Sequence, residues 1–147
     1  MFEHILVPTD GSKLSLKAIK TAVGLAGALN ARVTGLHVLP ATTYDFVGDI
    51  VTTRLLTADE ARKREQTAEK KVFANLQKIA AAAGVACAGT CVTSDDTYGT
   101  IIDRAKKSRC DVIVMASHGR RGLSGLLLGS ETHKVLTHSA IPVVVCR

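Results

Sequence analysis

The segment from residue 115 to residue 132, MASHGRRGLSGLLLGSET, combines the residue types that surround a bound phosphate group. It holds four glycines, the adjacent pair Arg120 and Arg121, and a Gly129-Ser130 doublet, all directly after an apolar run. Glycine lets a backbone turn tightly or approach a ligand closely. A helix that begins at Ser130 presents free N–H groups and about half a positive charge at its N-terminus. The spacing therefore predicts a phosphate-binding loop that leads into a helix.

Common nucleotide and catalytic motifs do not account for this segment. The nearest match to a P-loop, GLLLGS at 125–130, has one residue too few between its glycines and no lysine. The sequence PTDGS at 8–12 lacks the dinucleotide fingerprint, and GLSG at 122–125 does not match a nucleophile elbow. No H-E-x-x-H occurs. We therefore expect a phosphate cradle of a different design, with no catalytic residue that can be named.

The strands and helices that position this loop are predicted from apolar runs that alternate with helical periodicities. Strands are predicted at 4–10, 32–39, 85–92, 110–116 and 141–146, and helices from Ser12 to Asn30, from Thr57 to Gly84, from Asp95 or Asp96, and from Ser130. The capping box Thr57-Glu60 opens the second helix. Residues 40–56 are expected to form a less regular connection. Strands that alternate with helices predict an α/β fold with a parallel sheet covered on both faces.

The predicted topology places the chemistry at one end of the sheet. In open α/β sheets, ligands bind beyond the carboxyl ends of the strands, near the point where the strand order reverses. The loops concerned are PTDGS after the first strand, LPATTYDF after the second, and the 115–132 segment after the fourth.

Composition limits the class of protein. The 147 residues are 46% hydrophobic and fit one domain over 1–147, while the net charge of +6 is compatible with an anionic ligand. Aromatic residues make up 3% of the chain, too few for nucleic-acid stacking platforms. We expect no nucleic-acid or membrane partner, and a cytoplasmic location because no secretory signal or membrane span is evident. Packed free thiols are favoured over a metal site for the four cysteines, Cys87, Cys91, Cys110 and Cys146.

Several segments together resemble a universal stress protein domain along the whole chain. They are ILVPTDGS, LHVL, DVIVMASHGRRG and LLLGSETHKVLTHSAIPVVVC. The most specific part is the family's nucleotide motif, G-x-x-G, nine residues, then G-[ST]. Here it spans Ala116 to Gly119, nine residues from Arg120 to Leu128, then Gly129-Ser130. Ala116 replaces the first glycine, and its extra methyl group is expected to weaken binding without abolishing it.

The resemblance implies a Rossmann-like, adenine nucleotide alpha hydrolase-like three-layer sandwich with a five-stranded parallel sheet. It also implies binding of ATP, ADP or AMP, with Mg²⁺ held through phosphate near Asp10 and Ser130, and a role in stress response. The nucleotide-binding residues that it implies are Pro8, Thr9, Asp10, Val38, Met115, Ala116, His118, Gly119, Arg120, Arg121, Gly129, Ser130 and Glu131.

Individual roles follow from the same resemblance. Gly119 would permit the turn after the fourth strand, and Gly129 would let phosphates lie against the backbone. Ser130 would cap its helix and offer a hydroxyl to phosphate or Mg²⁺. Asp10 would face the ribose or the metal-bound phosphates, and Val38 would present its backbone to adenine.

Each residue also has a purely structural interpretation. Ser130 is a good N-cap without any ligand, and Asp10-Gly11 is a common turn pair. Val38 suits a core, His118 a turn, and Arg120-Arg121 a solvated loop. Three functions therefore stay open: an ATP-binding regulatory module, an interaction protein with a vestigial site, and a slow ATPase or nucleotidyl transferase.

The C-terminal strand, Ile141 to Arg147, is predicted to form a homodimer interface. Pro142 lacks an N–H and suits the start of an edge strand. Three consecutive valines follow, and an exposed edge of that kind pairs readily with another chain. The family resemblance points to the same interface.

Overall fold

The computed structural model describes residues 1–119 and 128–147. In chain order the elements are β1 (His4–Pro8), α1 (Lys13–Leu29), β2 (Arg32–Leu39), β3 (Thr42–Val47), β4 (Ile50–Leu55), α2 (Ala58–Val72), α3 (Ala74–Ala82), β5 (Cys87–Thr93), α4 (Thr97–Lys107), β6 (Val112–Ala116), α5 (Ser130–His138) and β7 (Val143–Cys146). Five parallel strands form the main sheet in the order β5-β2-β1-β6-β7. The predicted α/β fold with a five-stranded parallel sheet is confirmed.

Two hydrophobic cores lie on opposite faces of this sheet. Ile5 and Val7 point toward a core that α1 and α3 cover, whereas Leu6 points toward a core that α4 and α5 cover. All three side chains are fully buried. A strand buried on both faces must be apolar at successive positions, which explains the continuous run in HILVP.

The helix ends confirm most of the predicted caps. Ser12 accepts a hydrogen bond from the N–H of Ser15, and Thr57 with Glu60 forms the complete capping box. Asp96 is the residue that caps α4. Asn30 ends α1 in the left-handed conformation, with a φ of 55°. These short polar side chains replace the backbone partners that the helix ends lack.

Residues 40–56 are not an irregular connection, and that prediction is wrong. β3 and β4 form an antiparallel hairpin, from the pair Thr42–Leu55 to the pair Val47–Ile50 at its tip. Gly48 begins the two-residue turn with a φ of 61°, as the favoured hairpin turns require. The β-branched and aromatic residues that flank Gly48 were the available sequence signal.

The predicted single helix from Thr57 to Gly84 is interrupted at Phe73, between α2 and α3. Phe73 is 1% exposed, and its ring lies over Gly35 of β2 and Gly89 of β5, which pair with each other in the sheet. Two adjacent residues without side chains leave a slot that fits the ring. The helical periodicity of this segment predicts a buried position at Ala83, but Ala83 is exposed. Phe73 is nearly as fully buried as Leu76 and Ala80 of the same helical segment.

The two edges of the main sheet differ. Two carboxylates of α2 lie along β5: Glu69 accepts from the N–H of Cys91 at 3.1 Å, and Glu65 accepts from that of Thr93 at 2.8 Å. These side chains occupy donors that another strand would need. β7 forms the opposite edge, as predicted from Pro142, which directly precedes it.

The four cysteines are free thiols. Cys91 is buried in the core that α1 and α3 cover, and Cys87 packs against the same core, so both thiols lie on one face of β5. Burial raises the pKa of the Cys91 thiol to about 11, with smaller contributions from the nearby carboxylates. Among the described residues, no helix is long and apolar enough to cross a membrane.

The Phe73 slot leads to a prediction about stability. A Cβ added at Gly35 would lie 2.7 Å from the Phe73 ring and from Leu76, both of which are buried. Gly35→Ala should therefore lower the free energy of unfolding by roughly 1–3 kcal/mol through overpacking. Gly24→Ala is the matched control because no atom lies within 4 Å of its added Cβ. We expect that substitution in α1 to be neutral or slightly stabilising.

Urea denaturation with an unchanged m-value measures both effects. Adding Phe73→Leu to Gly35→Ala should recover part of the loss, because the smaller side chain relieves the contact. Equal stabilities for Gly35→Ala and Gly24→Ala would show that the slot has room to spare.

Candidate functional site

Pro8 ends the pairing between β1 and β6, the two strands between which the strand order reverses. The carbonyl of His4 accepts from Asp111, whereas the N–H of Thr9 donates to Leu36. Even-numbered residues of β1 therefore face β6, and Pro8 has no N–H to give to that neighbour. The register between β1 and β6 accordingly ends at the pair Leu6–Ile113. A cleft opens between the strands above this pair.

The cleft has a volume of about 780 Å³, within the range of small-molecule sites. The structure brings together on its wall the predicted residues Pro8, Thr9, Asp10, Val38, Met115, Ala116, His118, Gly119, Gly129, Ser130 and Glu131. Arg120 and Arg121 lie outside the described residues. Lining residues that the sequence analysis did not select are Ser15, Leu36, His37, Pro40, Thr97, Ile101 and Thr132. Most of these are apolar or hydroxyl residues without a distinctive local motif.

The loop after β1 is held by its own hydroxyl groups. Thr9 donates from Oγ1 to Ser15 Oγ at 2.9 Å and accepts from the N–H of Gly11. Asp10 Oδ1 accepts from the N–H of Ser12 at 2.9 Å, which is the turn interaction expected of an Asp-Gly pair. Asp10 therefore has the structural role in the turn that the Asp-Gly pair predicts. This role leaves the carboxylate on the cleft wall.

The end of β2 supplies a main-chain donor and acceptor. Leu36 directs its carbonyl toward β1, where it accepts from Thr9 at 2.8 Å. Because main-chain direction alternates along a strand, the N–H and C=O of Val38 point to the same side as those of Leu36. They lie beyond Pro8, the last paired residue of β1. His37 Nδ1 donates to the Thr9 carbonyl at 2.7 Å and so ties β2 to the loop after β1. Sequence periodicity alone does not predict this side-chain bond.

The opposite wall joins β6 to α5 through short hydrogen bonds. The N–H of Gly129 donates to the Ser117 carbonyl at 2.7 Å, and the buried Thr132 hydroxyl donates to the Ala116 carbonyl at 2.9 Å. Ser117 is buried and its own N–H donates to Cys146 of β7. These bonds bring the start of α5 directly against the carboxyl end of β6.

Helix α5 begins without a side-chain cap. Gly129 is the N-cap, so the expectation that Ser130 caps this helix is wrong; Ser130 is its first residue. The first intrahelical bond runs from His133 to Gly129. The N–H groups of Ser130, Glu131 and Thr132 therefore have no partner within the helix and, with the helix dipole, form a positive end beside the cleft.

Two buried polar atoms in this wall have no hydrogen-bond partner among the described residues. They are His118 Nε2 and Glu131 Oε2. The other polar atoms of these side chains are occupied: His118 Nδ1 lies 3.0 Å from Ser117 Oγ, and Glu131 Oε1 accepts from Lys134. Buried polar atoms are normally paired, so this pair indicates a place that a polar ligand or water completes.

The two motif glycines bring loops together. A Cβ on Gly119 would lie 3.0 Å from Asp10 Oδ2, and one on Gly129 would lie 3.2 Å from the Ser117 carbonyl. Neither position requires a left-handed backbone. Gly129 was expected to make room for phosphates, but its missing side chain would point at the β6 loop. The glycine is needed because the two chain segments touch.

The ionisable side chains in the described part of the cleft are two carboxylates, Asp10 and Glu131, and two imidazoles, His37 and His118. No group of three or more His, Cys, Asp or Glu side chains in the described ranges is arranged to hold a metal ion. The described lining therefore favours an anion only through the positive end of α5.

A doubly wound parallel sheet with a cleft at its reversal point defines the class of open α/β proteins that bind ligands beyond their strand ends. The model of the universal stress protein family matches residues 1–147, and the chain belongs to this family. Universal stress protein YxiE of Bacillus subtilis is 35% identical over the full length of both chains. The solved universal stress protein UspA of Lactobacillus plantarum is 25% identical, with a TM-score of 0.79 over 99% of this chain and 98% of the other.

Two further structures of this fold contain nucleotides. One is a universal stress protein in complex with cAMP, 21% identical, with a TM-score of 0.69 over 98% of this chain and 95% of the other. The second is the universal stress protein from Archaeoglobus fulgidus in complex with dAMP, 15% identical, with a TM-score of 0.68 over 100% of this chain and 98% of the other. At these identities the likeness establishes the fold.

The bond between Thr132 and Ala116 gives a prediction about the wall of the cleft. Thr132→Val removes the buried donor and keeps the side-chain shape, so the free energy of unfolding should fall by about 1–3 kcal/mol. Thr137→Val in the same helix is the control, because the hydroxyl of Thr137 donates to His133 at an exposed position. Chemical denaturation should show a change below about 0.5 kcal/mol there. Equal losses in both variants would contradict a special role for the buried bond.

Proposed function

We propose that the protein binds adenine nucleotides in this cleft and acts as a regulatory module in stress response. The observation that carries the proposal is the uncapped N-terminus of α5 on the wall of a cleft at the strand-order reversal. Free N–H groups at a helix start form an anion site, and this location is where open α/β sheets bind nucleotides. The complexes of two proteins of the same fold with cAMP and dAMP support an adenine nucleotide as the ligand.

The two ends of the ligand have different partners in the proposed complex. Adenine lies at the end of β2, where the N–H and C=O of Val38 match the donor and acceptor on its edge. Phosphate lies at the first turn of α5, beside Ser130 and the unpartnered His118 Nε2. Ala116 is an ordinary strand residue at the end of β6, so its methyl group does not require an unusual backbone.

A triphosphate requires additional positive charge. The described lining has two carboxylates, and ATP would add several negative charges to the same cleft. We propose that Mg²⁺ accompanies ATP, held mainly by phosphate oxygens, with Asp10 as an oxygen ligand on the facing wall. Magnesium in nucleotide sites is commonly bound by one or two carboxylates together with the phosphates. Arg120 and Arg121 are the nearby cations in the sequence.

Free thiols agree with a cytoplasmic protein in this proposal. Cytosolic proteins keep their cysteines reduced, and the four cysteines here are unpaired.

A change in the bound nucleotide would alter the contact between the Asp10 loop and the Gly119 turn. That contact is a natural place for ligand state to affect the surface.

The first experiment separates phosphate binding from folding. Ser130→Glu places a negative charge in the first turn of α5, where it suits the helix dipole but repels phosphate. We expect the Kd of AMP to rise about tenfold or more, which is ~1.4 kcal/mol, while adenosine binds as before. Ser130→Ala is the neutral control, with a small effect on AMP. Isothermal titration calorimetry with AMP, adenosine and Mg-ATP provides the comparison.

Two results would contradict the proposal. The wild-type protein would bind neither AMP nor ATP at millimolar concentration, or Ser130→Glu would weaken adenosine as strongly as AMP. The first result would favour the vestigial-site hypothesis. The second would place the phosphate elsewhere in the cleft.

We also propose that the protein forms a homodimer through β7. The carbonyls of Pro142 and Cys146 accept from Ile113 and Ser117, so the even-numbered residues of this strand face β6. The N–H groups of Val143 and Val145 consequently point away from the sheet. Two copies related by a twofold axis can pair these donors in an antiparallel ladder.

This arrangement predicts a specific effect of proline at the edge. Val145→Pro removes an outward N–H and leaves the bonds to β6 in place, so it should shift the β7 dimer toward smaller species. Val145→Thr keeps the N–H and the β-branched shape and should assemble like the wild type. Sedimentation velocity over micromolar concentrations measures the change. An interface elsewhere would leave the Val145→Pro protein with unaltered sedimentation.

A further inference from the structure

The hairpin β3–β4 concentrates exposed apolar surface that the rest of the fold does not cover. The large hydrophobic side chains exposed in the described residues are Met1, Leu29, Tyr44, Phe46, Val47, Ile50, Val51, Leu55 and Leu136. Six of these nine belong to the hairpin. Phe46 is 73% exposed and Leu55 is 71% exposed. Clustered exposed apolar residues of this kind mark an interaction site.

The strand register sorts these residues by face. Tyr44 pairs with Thr53, and Phe46 pairs with Val51. Directly opposite residues share a face of a hairpin, so Thr42, Tyr44, Phe46, Val51, Thr53 and Leu55 form one surface. We call this surface the apolar hairpin face; it contains no charged residue. Asp45 and Arg54 form an ion pair on the other face.

Polar contacts fix the base of the hairpin while its strands stay outside the main sheet. Asp95 accepts from the N–H of Ala41 at 2.9 Å and from the Thr42 hydroxyl at 2.8 Å. Arg54 forms two hydrogen bonds to the carboxylate of Glu60 in α2. The arginine lowers the pKa of Glu60 to about 2, together with the N–H of Thr57. The hairpin is therefore held in a defined orientation without being buried.

An isolated two-stranded hairpin is at best marginally stable in water. This hairpin is anchored through Asp95 and Glu60, yet its large apolar side chains stay exposed, and the size of the apolar hairpin face fits a protein surface. An aromatic side chain buries roughly 150–250 Å². Tyr44 and Phe46, with Val51 and Leu55, thus supply a large part of the ~800 Å² that each partner buries in a standard interface.

Charge favours a second copy of the chain over an acidic or basic partner. The chain has a net charge of +6, but residues 42–55 contain Asp45, Asp49 and Arg54, which sum to −1. The hairpin therefore carries almost none of the chain's positive charge, so two copies that meet at their hairpins bring few like charges together. The single cation, Arg54, is already paired with Asp45 and Glu60. No charge on the apolar hairpin face selects an oppositely charged partner.

We propose that the apolar hairpin face packs against the same face of a second copy about a twofold axis. A twofold contact is self-complementary and closes after two chains, which a shared apolar face with no charge pattern allows. The hairpin follows β2, and β1 and β6 separate β2 from β7 in the sheet. This surface is therefore distinct from the β7 edge. If both contacts form about twofold axes that intersect at right angles, the assembly closes as a tetramer with two different interfaces.

The test uses the Val145→Pro background, in which β7 pairing is blocked. In sedimentation velocity that protein should remain a dimer through its hairpins at tens of micromolar. Adding Phe46→Lys places a charge on the apolar hairpin face and should weaken association at least tenfold, giving monomer. Adding Thr52→Lys is the matched control, since Thr52 is exposed on the opposite face beside Asp45. That protein should remain a dimer.

A second variant guards against local misfolding of the hairpin. Ala41 and Leu56 are joined by a main-chain hydrogen bond of 2.9 Å, so residues 42–55 can be replaced by Gly-Gly. This protein should keep its circular dichroism and thermal transition and sediment as monomer in the Val145→Pro background. In otherwise wild-type protein, both Phe46→Lys and the replacement should convert tetramer to dimer.

Two outcomes would overturn the proposal. One is association in Phe46→Lys as strong as in Thr52→Lys. The other is a monomeric Val145→Pro protein at concentrations up to about 100 μM while its fold is intact. In the second case the partner of the apolar hairpin face would have to be a different protein or the walls of the nucleotide cleft.

Discussion

The cleft depends on one constraint, the missing N–H of Pro8. This proline lies at the end of β1, where the strand order of the sheet reverses between β1 and β6. Pro8 faces β6 and has nothing to donate, so the ladder between β1 and β6 stops after Leu6–Ile113. The connections after these strands pass to opposite faces of the sheet. A space at the sheet end is the geometric result, and the loops after β1, β2 and β6 line it.

The cleft is shaped largely by main-chain groups and by small residues that permit close approach. Gly119 and Gly129 let the loops after β1 and β6 and the start of α5 come within contact distance. Thr132 and His37 then fasten the two walls through the carbonyls of Ala116 and Thr9. Recognition by backbone N–H and C=O groups tolerates changes of side chain. It therefore suits a family in which the fold persists at low sequence identity.

Local signals predicted much of the fold. The apolar runs identified the five parallel strands, and Ser12, Thr57 and Asp96 begin their helices because short polar side chains satisfy free N–H groups. Eleven of the thirteen predicted site residues line one cleft. Topology explains why they lie together, since parallel strands bring their carboxyl ends to one edge.

Two features that sequence reasoning missed depend on contacts between distant residues. Phe73 interrupts a helix because Gly35 and Gly89, far away in the sequence, leave room for its ring. His37 gains its partner only when β1 and β2 lie side by side. The wrong prediction at 40–56 has a different cause, because the alternation of these residues and Gly48 are local signals that favour a hairpin.

The carboxylates of Glu65 and Glu69 along β5 have a consequence for aggregation. A parallel sheet with two receptive edges can add chains at both sides and grow into a fibre. Here the donors of Cys91 and Thr93 are already engaged by charged side chains, so an incoming strand would have to displace them and would meet negative charge. Growth by strand addition is thereby confined to one side. A ladder begun at β7 would end with the second chain, because the remaining edge of each sheet is the protected β5 strand.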